Sequence, residues 1–182
     1  FPARFGGKMS SVVDITTRDG DFYDYHGTFA IGLIDGHLQF EGPIVKGKTS
    51  FNVGLRRTWI ETISEPILYF FNKENQPDKL TLGYSFSDLN AKVTHKFSPK
   101  NVLRGSFYMG RDVFRYKQYN FSEYYQVGED GVAEIHRQQE NDVGIPMNWG
   151  NTLGSLDWKW DISDQLSMNV AAYYTRSHSR LG

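Results

Sequence analysis

His136 and Glu140, in the run HRQQE, stand four residues apart, the spacing that puts two side chains on one face of a helix. An imidazole and a carboxylate so placed could share a metal ion. A catalytic zinc takes three protein ligands, however, and two residues are not a site. The histidines form no HExxH pattern, and no GxSxG, P-loop or GxGxxG signature occurs. Cysteine is absent, which excludes disulfides and zinc–thiolate sites. Glu123, Glu129, Asp130 and Glu134 gather in one long connecting segment, where they read as solvated charge rather than as a glycosidase pair. These residues point to no enzyme, no cofactor and no metal.

The remaining chemistry is aromatic. Segment 62–83 carries Tyr69, Phe70 and Phe71. Segment 112–149 carries Phe114, Tyr116, Tyr119, Phe121, Tyr124, Tyr125 and Trp149. Flat faces with polar tips suit sugars, peptides or siderophores, and the same rings could instead pack the segments onto each other. The candidate ligand-binding residues are therefore Tyr69, Phe71, Tyr116, Tyr119, Tyr124, Tyr125 and Trp149. Charge gives no further direction: 20 Lys and Arg face 21 Asp and Glu. That balance lacks the basic excess of a bulk nucleic-acid binder. Mean hydropathy is −0.52, and no run approaches the ~18 uncharged apolar residues of a membrane helix.

The elements that would carry these rings are strands. Period-2 alternation recurs over 25–34, 37–45, 50–59, 88–97, 102–110, 152–160 and 166–174. Leu103, Phe107 and Met109, for example, alternate with Arg104, Ser106 and Tyr108. Asp35-Gly36 reads as a hairpin turn. Three further connections are tight and polar: Lys46-Gly47-Lys48, Ser98-Pro99-Lys100-Asn101 and Ser163-Asp164-Gln165. The long connections, 62–83 and 112–149, alternate with these tight ones. In an up-and-down meander this places short turns at one end and long loops at the other, as in transmembrane barrels. Aromatics near strand ends (Trp59, Phe97, Trp158, Trp160, Tyr173, Tyr174) match the interface girdles of such barrels, and an aromatic core would look the same.

The opening FPARFGGKMSSVVDITTRDG resembles the end of the plug domain of TonB-dependent outer-membrane receptors of the Bacteroidetes type. HGTFAIGLI, HLQFEGPIVKGKTSFNVGLRRTW, FSDLNAKVTHKFSPKNVLRGSFYMGRD and WGNTLGSLDWKWDISDQLSMNVAAYYTRS resemble the early barrel strands of that family, in family order. The resemblance implies an all-β fold. An antiparallel up-and-down meander would form part of a large transmembrane β-barrel, with a short plug tail at the N-terminus. Residues 1–21 would be the end of the plug and a polar hinge of Arg18, Asp19 and Asp21. Residues 22–182 would be about seven strands of a barrel of about 22. Gly6 and Gly7 would form a tight turn, and residues 9–17 a strand within the plug. The ends of the chain and the missing TonB box read as those of an internal fragment.

The same resemblance implies a place in the outer membrane of a Gram-negative cell, in contact with its lipid. The intact receptor would take up a scarce nutrient (siderophore, glycan, peptide or vitamin). The TonB energy complex would pull on the plug through its N-terminus, and some relatives of this type add a surface lipoprotein as a lid. Nucleic acid is not an expected partner. Two other architectures share the alternation: a complete eight-stranded outer-membrane barrel, and a soluble all-β ligand-binding module.

Overall fold

β-Branched and aromatic residues alternating with polar ones favour extended backbone, and most of this chain follows that pattern. A computed structural model describes residues 16–74, 79–127 and 133–181, and for 74, 121, 133–135, 137 and 139–142 the backbone alone. The elements are β1 (His26–Ile31), β2 (Asp35–Val45), β3 (Thr49–Thr58), α1 (Ile60–Glu74), β4 (Lys79–Ser98), β5 (Asn101–Val127), β6 (Ala133–Ser163) and β7 (Leu166–Leu181). The seven strands make one antiparallel meander in sequence order. The sheet is open, with β1 and β7 at its edges. The fold is all-β with one helix.

The three tight turns fall where polar and turn-forming residues place them, after β2, β4 and β6. Gly47 takes φ 71°, a conformation only glycine adopts without strain. A register shift precedes each turn, between Pro43 and Val45, Lys96 and Ser98, and Asp161 and Ser163. The residue left over is apolar in all three cases: Ile44, Phe97 and Ile162, all exposed. Such bulges are common at sheet rims, where they re-aim a side chain.

Three expectations need correcting. The turn between β1 and β2 is Gly32–Ile34, with Gly32 N–H donating to Asp35 O at 2.7 Å. Asp35 and Gly36 lie inside β2, because they are paired to Thr58 and Arg57 of β3. Segment 62–83 is helical to residue 74 and extended from 79. Segment 112–149 is no loop: β5 and β6 run 27 and 31 residues and continue their pairing to Val127↔Ala133. Gly6, Gly7 and most of the strand expected over 9–17 lie outside the described residues; 16 and 17 are irregular.

No hydrophobic residue is buried among those described. Apart from Pro43, the buried side chains are polar: Glu41, Ser50, Lys92 and Thr94. Among the described residues no second layer packs on the sheet, and its apolar face is open. The face carrying the N-terminal segment is here called the front, and the other the back. Successive residues alternate between them. On the lower half of the back stand Phe29, Leu38, Leu55, Leu89 and Met109 in one cross-strand row. Phe40, Val53, Ala91, Phe107 and Tyr174 belong to the next row down. Trp158 stacks on Trp160 near the tight-turn rim at 5.9 Å. Tyr173 pairs with Ser155 and belongs to the front, so it is no part of a back-face girdle; Tyr174 lies mid-sheet.

Candidate functional site: the front wall of the sheet

The lower front is polar, and the N-terminal segment lies across it. Arg18 Nη2 donates to Glu41 Oε1 at 2.6 Å, and Asn52 Nδ2 holds Glu41 Oε2 at 3.2 Å. Lys92 Nζ reaches Asp19 Oδ1 at 2.7 Å and the carbonyl of Thr17 at 2.5 Å. Thr94 Oγ1 donates to the same Asp19 oxygen at 2.9 Å, and Arg104 Nε to Oδ2 at 3.3 Å. Arg104 also lies 3.5 Å from Asp157. β2, β3, β4, β5 and β6 thus all contribute to one joint around three residues. Gly20 closes it: a β-carbon there would run into the backbone carbonyl of Phe51.

Burial alone would raise the Asp19 carboxyl. Hydrogen bonds from Lys92 and Thr94 and the charges of Lys92 and Arg104 outweigh burial and hold it below its ordinary value of 3.8. Asp21 is also lowered, by the backbone N–H groups of Tyr23 and Asp24 at 2.7 and 3.1 Å, in an Asx-type turn that redirects the chain. The chain then passes the Lys46–Lys48 turn, where Gly47 N–H donates to Phe22 O at 2.8 Å. Tyr25 emerges on the back, stacked on Phe40 at 6.0 Å with its hydroxyl on the carbonyl of Pro43.

Above the row of Arg57, Ser87 and Arg111 the pattern inverts. On β4 the back positions become Ser85, Gly83 and Thr81, and the front ones Phe86, Tyr84, Leu82 and Leu80. The partners follow: Tyr84 pairs with Phe114 and that with Met147; Leu82 pairs with Tyr116 and that with Ile145; Asp112 pairs with Trp149. The upper front is therefore an aromatic wall with polar groups set in it. Tyr84 donates to Asp112 Oδ1 at 2.5 Å, Tyr116 to Gln118 at 2.7 Å, and Gln118 to Asn120 at 3.0 Å. Arg56 joins Asp88 at 3.0 Å and lies 4.8 Å from the Phe86 ring centre. Rings beside hydroxyl, amide and carboxylate groups can hold a ligand with flat apolar faces and hydroxyl edges.

β3 ends its pairing at Arg57↔Ser87, so residues 79–86 of β4 lack a strand on that side. α1 and the end of β3 take its place. Thr58 Oγ1 accepts from Phe86 N–H at 2.8 Å, Ser64 donates to Leu82 O at 3.1 Å, and Asn72 exchanges both bonds with the backbone of Leu80 at 2.7 and 2.9 Å. Three polar side chains thus satisfy an edge that would otherwise be open.

No protein-family model, curated protein or solved structure matches this chain.

Of the residues singled out in the sequence, Tyr116 and Trp149 stand on the upper front wall. Tyr119 has the opposite parity and belongs to the back. Tyr124 and Tyr125 lie near the far end of the β5–β6 hairpin, where Tyr124 stacks on His136 at 5.6 Å. That stack accounts for one side of His136; the Glu140 side chain lies outside the described residues. Tyr69 and Phe71 are exposed on α1, with Tyr69 edge-on to Phe70. The seven do not form one cluster. Tyr84, Phe86, Asp112 and Met147 were not singled out, although the alternation of Leu80, Leu82, Tyr84 and Phe86 marks them as one face.

Proposed function

We propose that this chain is part of a TonB-dependent outer-membrane receptor, carrying the end of the plug and the first strands of its barrel. The back face would meet lipid, the front would line the lumen, and residues 16–21 would be the last of the plug. One observation carries this reading: among the described residues Glu41, Ser50, Lys92 and Thr94 are buried, while no large apolar side chain is, and many of these are exposed. Water-soluble folds do the reverse. An apolar face with no protein layer over it needs an apolar solvent. Dimensions agree: Asn101 to Arg111 on β5 spans about 33 Å of strand at ~3.3 Å per residue, or about 25 Å of height at a tilt near 40°.

On this reading α1 and the upper β5–β6 hairpin stand outside the cell, and the tight turns face the periplasm. The upper front wall, with Tyr84, Phe114, Tyr116 and Trp149, is the surface on which a scarce nutrient docks before the energy complex moves the plug. Single cysteines at Tyr69 and Tyr125 should react with an impermeant maleimide on whole cells, and one at Lys48 only after lysis. The intact protein should appear in outer-membrane fractions as a band whose mobility changes on heating. A soluble band, or labelling at Lys48 on whole cells, would refute the assignment.

A further inference from the structure

Where the back face inverts, it becomes cationic. Arg57, Arg111 and His178 share one row, with Ser87 between the two arginines; Arg176 lies one row below, and Arg180 and Arg115 lie above. The back-face positions of these rows hold no Asp or Glu. The front differs. There Arg56 has Asp88, Lys92 has Asp19, and Arg104 has Asp19 and Asp157. Arg57, Arg111 and Arg115 make no ion pair among the described residues; Arg111 is held instead by Asn148 Oδ1 at 3.3 Å. Arg57 and Arg111 stand two strands apart, about 10 Å at ~4.8 Å per strand, close enough for two guanidinium forks to meet over one anion. Ser87 and Ser85 place hydroxyls between them. Directly below, the same groove of about 790 Å³ has an apolar floor of Leu55, Leu89 and Met109; Asp88, which also lines it, is paired with Arg56.

We infer that this groove binds a phosphorylated lipid, with its phosphate on Arg57, Arg111 and Arg115 and its acyl chains on Leu55, Leu89 and Met109. The inference rests on the membrane assignment above. Three cations with no ion-pair partner among the described residues call for an anion, guanidinium forks match phosphate oxygens, and the continuous apolar floor calls for a hydrocarbon tail. A free phosphate would satisfy the first two features and leave the floor without a purpose.

The test uses the native protein in phosphatidylcholine nanodiscs containing a minority of phosphatidic acid, with co-purifying lipid counted by native mass spectrometry. Wild-type protein should retain phosphatidic acid over phosphatidylcholine by on the order of tenfold, which one or two charge-assisted contacts supply. R57Q/R111Q/R115Q should lose the preference. R57K/R111K/R115K, which keeps the charge without the forks, should retain part of it. Displacement by millimolar inorganic phosphate would show an anion site without a lipid and overturn the inference. So would insertion with no headgroup preference, or a Gln variant that keeps it; both leave the membrane assignment standing. Failure of wild-type protein to enter the bilayer would overturn both.

Discussion

Asp19→Asn will loosen the N-terminal segment from the sheet. The Asp19 carboxylate takes Lys92, Thr94 and Arg104 at 2.7 to 3.3 Å. Without its charge, Lys92 is left buried against a carbonyl. Removing one partner of a buried pair costs about 3 kcal/mol at the lower end of the usual range, which is apt because the Asp19 side chain is itself 29% exposed. Amide exchange over residues 16–22 should then accelerate on the order of a hundredfold, at ~1.4 kcal/mol per decade, with β4 and β5 unchanged. Gly20→Val should release the segment by steric conflict with Phe51 while keeping every charge. Unchanged exchange in both variants would mean that this joint does not hold the segment. The pH dependence has a definite sign. A carboxyl lowered on folding stabilises fully above its unfolded value and stops doing so as pH falls through the lowered one. The wild-type segment should therefore loosen only below pH 3.8, and Asp19→Asn should show no such step.

Phe107→Arg will have an effect of similar size for a different reason. Phe107 stands mid-height on the back, between Ala91 and Gly154, and is 40% exposed. If lipid covers this face, a cation there costs about 2–4 kcal/mol in folding from denaturant into vesicles. Ser155→Arg on the front, next to Asp157 on the same strand face, should cost a small fraction of that. Water on both faces would reverse the order, since Phe107→Arg would then remove an exposed ring and improve solubility.

The lower sheet was legible because its alternation keeps one phase: Leu89, Ala91 and Val93 on β4 match Leu103, Phe107 and Met109 on β5. The upper sheet was hidden by the inversion. Arg111 and Arg115 fall where the lower pattern calls for apolar residues, so β5 reads as ending at residue 110, although Phe114 and Tyr116 continue the strand in the opposite phase. α1 was obscured by Pro66 within it and by the unbroken apolar, aromatic run 67–71, which blurs the stripe of Ile60, Ile63, Ile67 and Phe70. Its polar contacts to Leu80 and Leu82 are tertiary, and no local pattern announces them. The joint at Asp19 depends on residues more than 70 positions apart, as in Lys92 to Thr17; only the polarity of Arg18 and Asp19 was visible beforehand. Tyr116 and Trp149 were found as aromatics, but the wall they share with Tyr84 needs the register of β4 on β5.

The most direct measurement is a nitroxide scan of β5, one spin label at a time from Leu103 to Lys117, in the native protein in lipid. Labels at Leu103, Gly105, Phe107 and Met109 should be relaxed by oxygen, which concentrates in hydrocarbon. Labels at Arg104, Ser106 and Tyr108 should not be. From Arg111 upward the odd positions should turn accessible to a water-soluble nickel chelate. If the labels at Leu103 to Met109 are instead shielded from both reagents, another protein layer covers the back face, and the membrane assignment is contradicted.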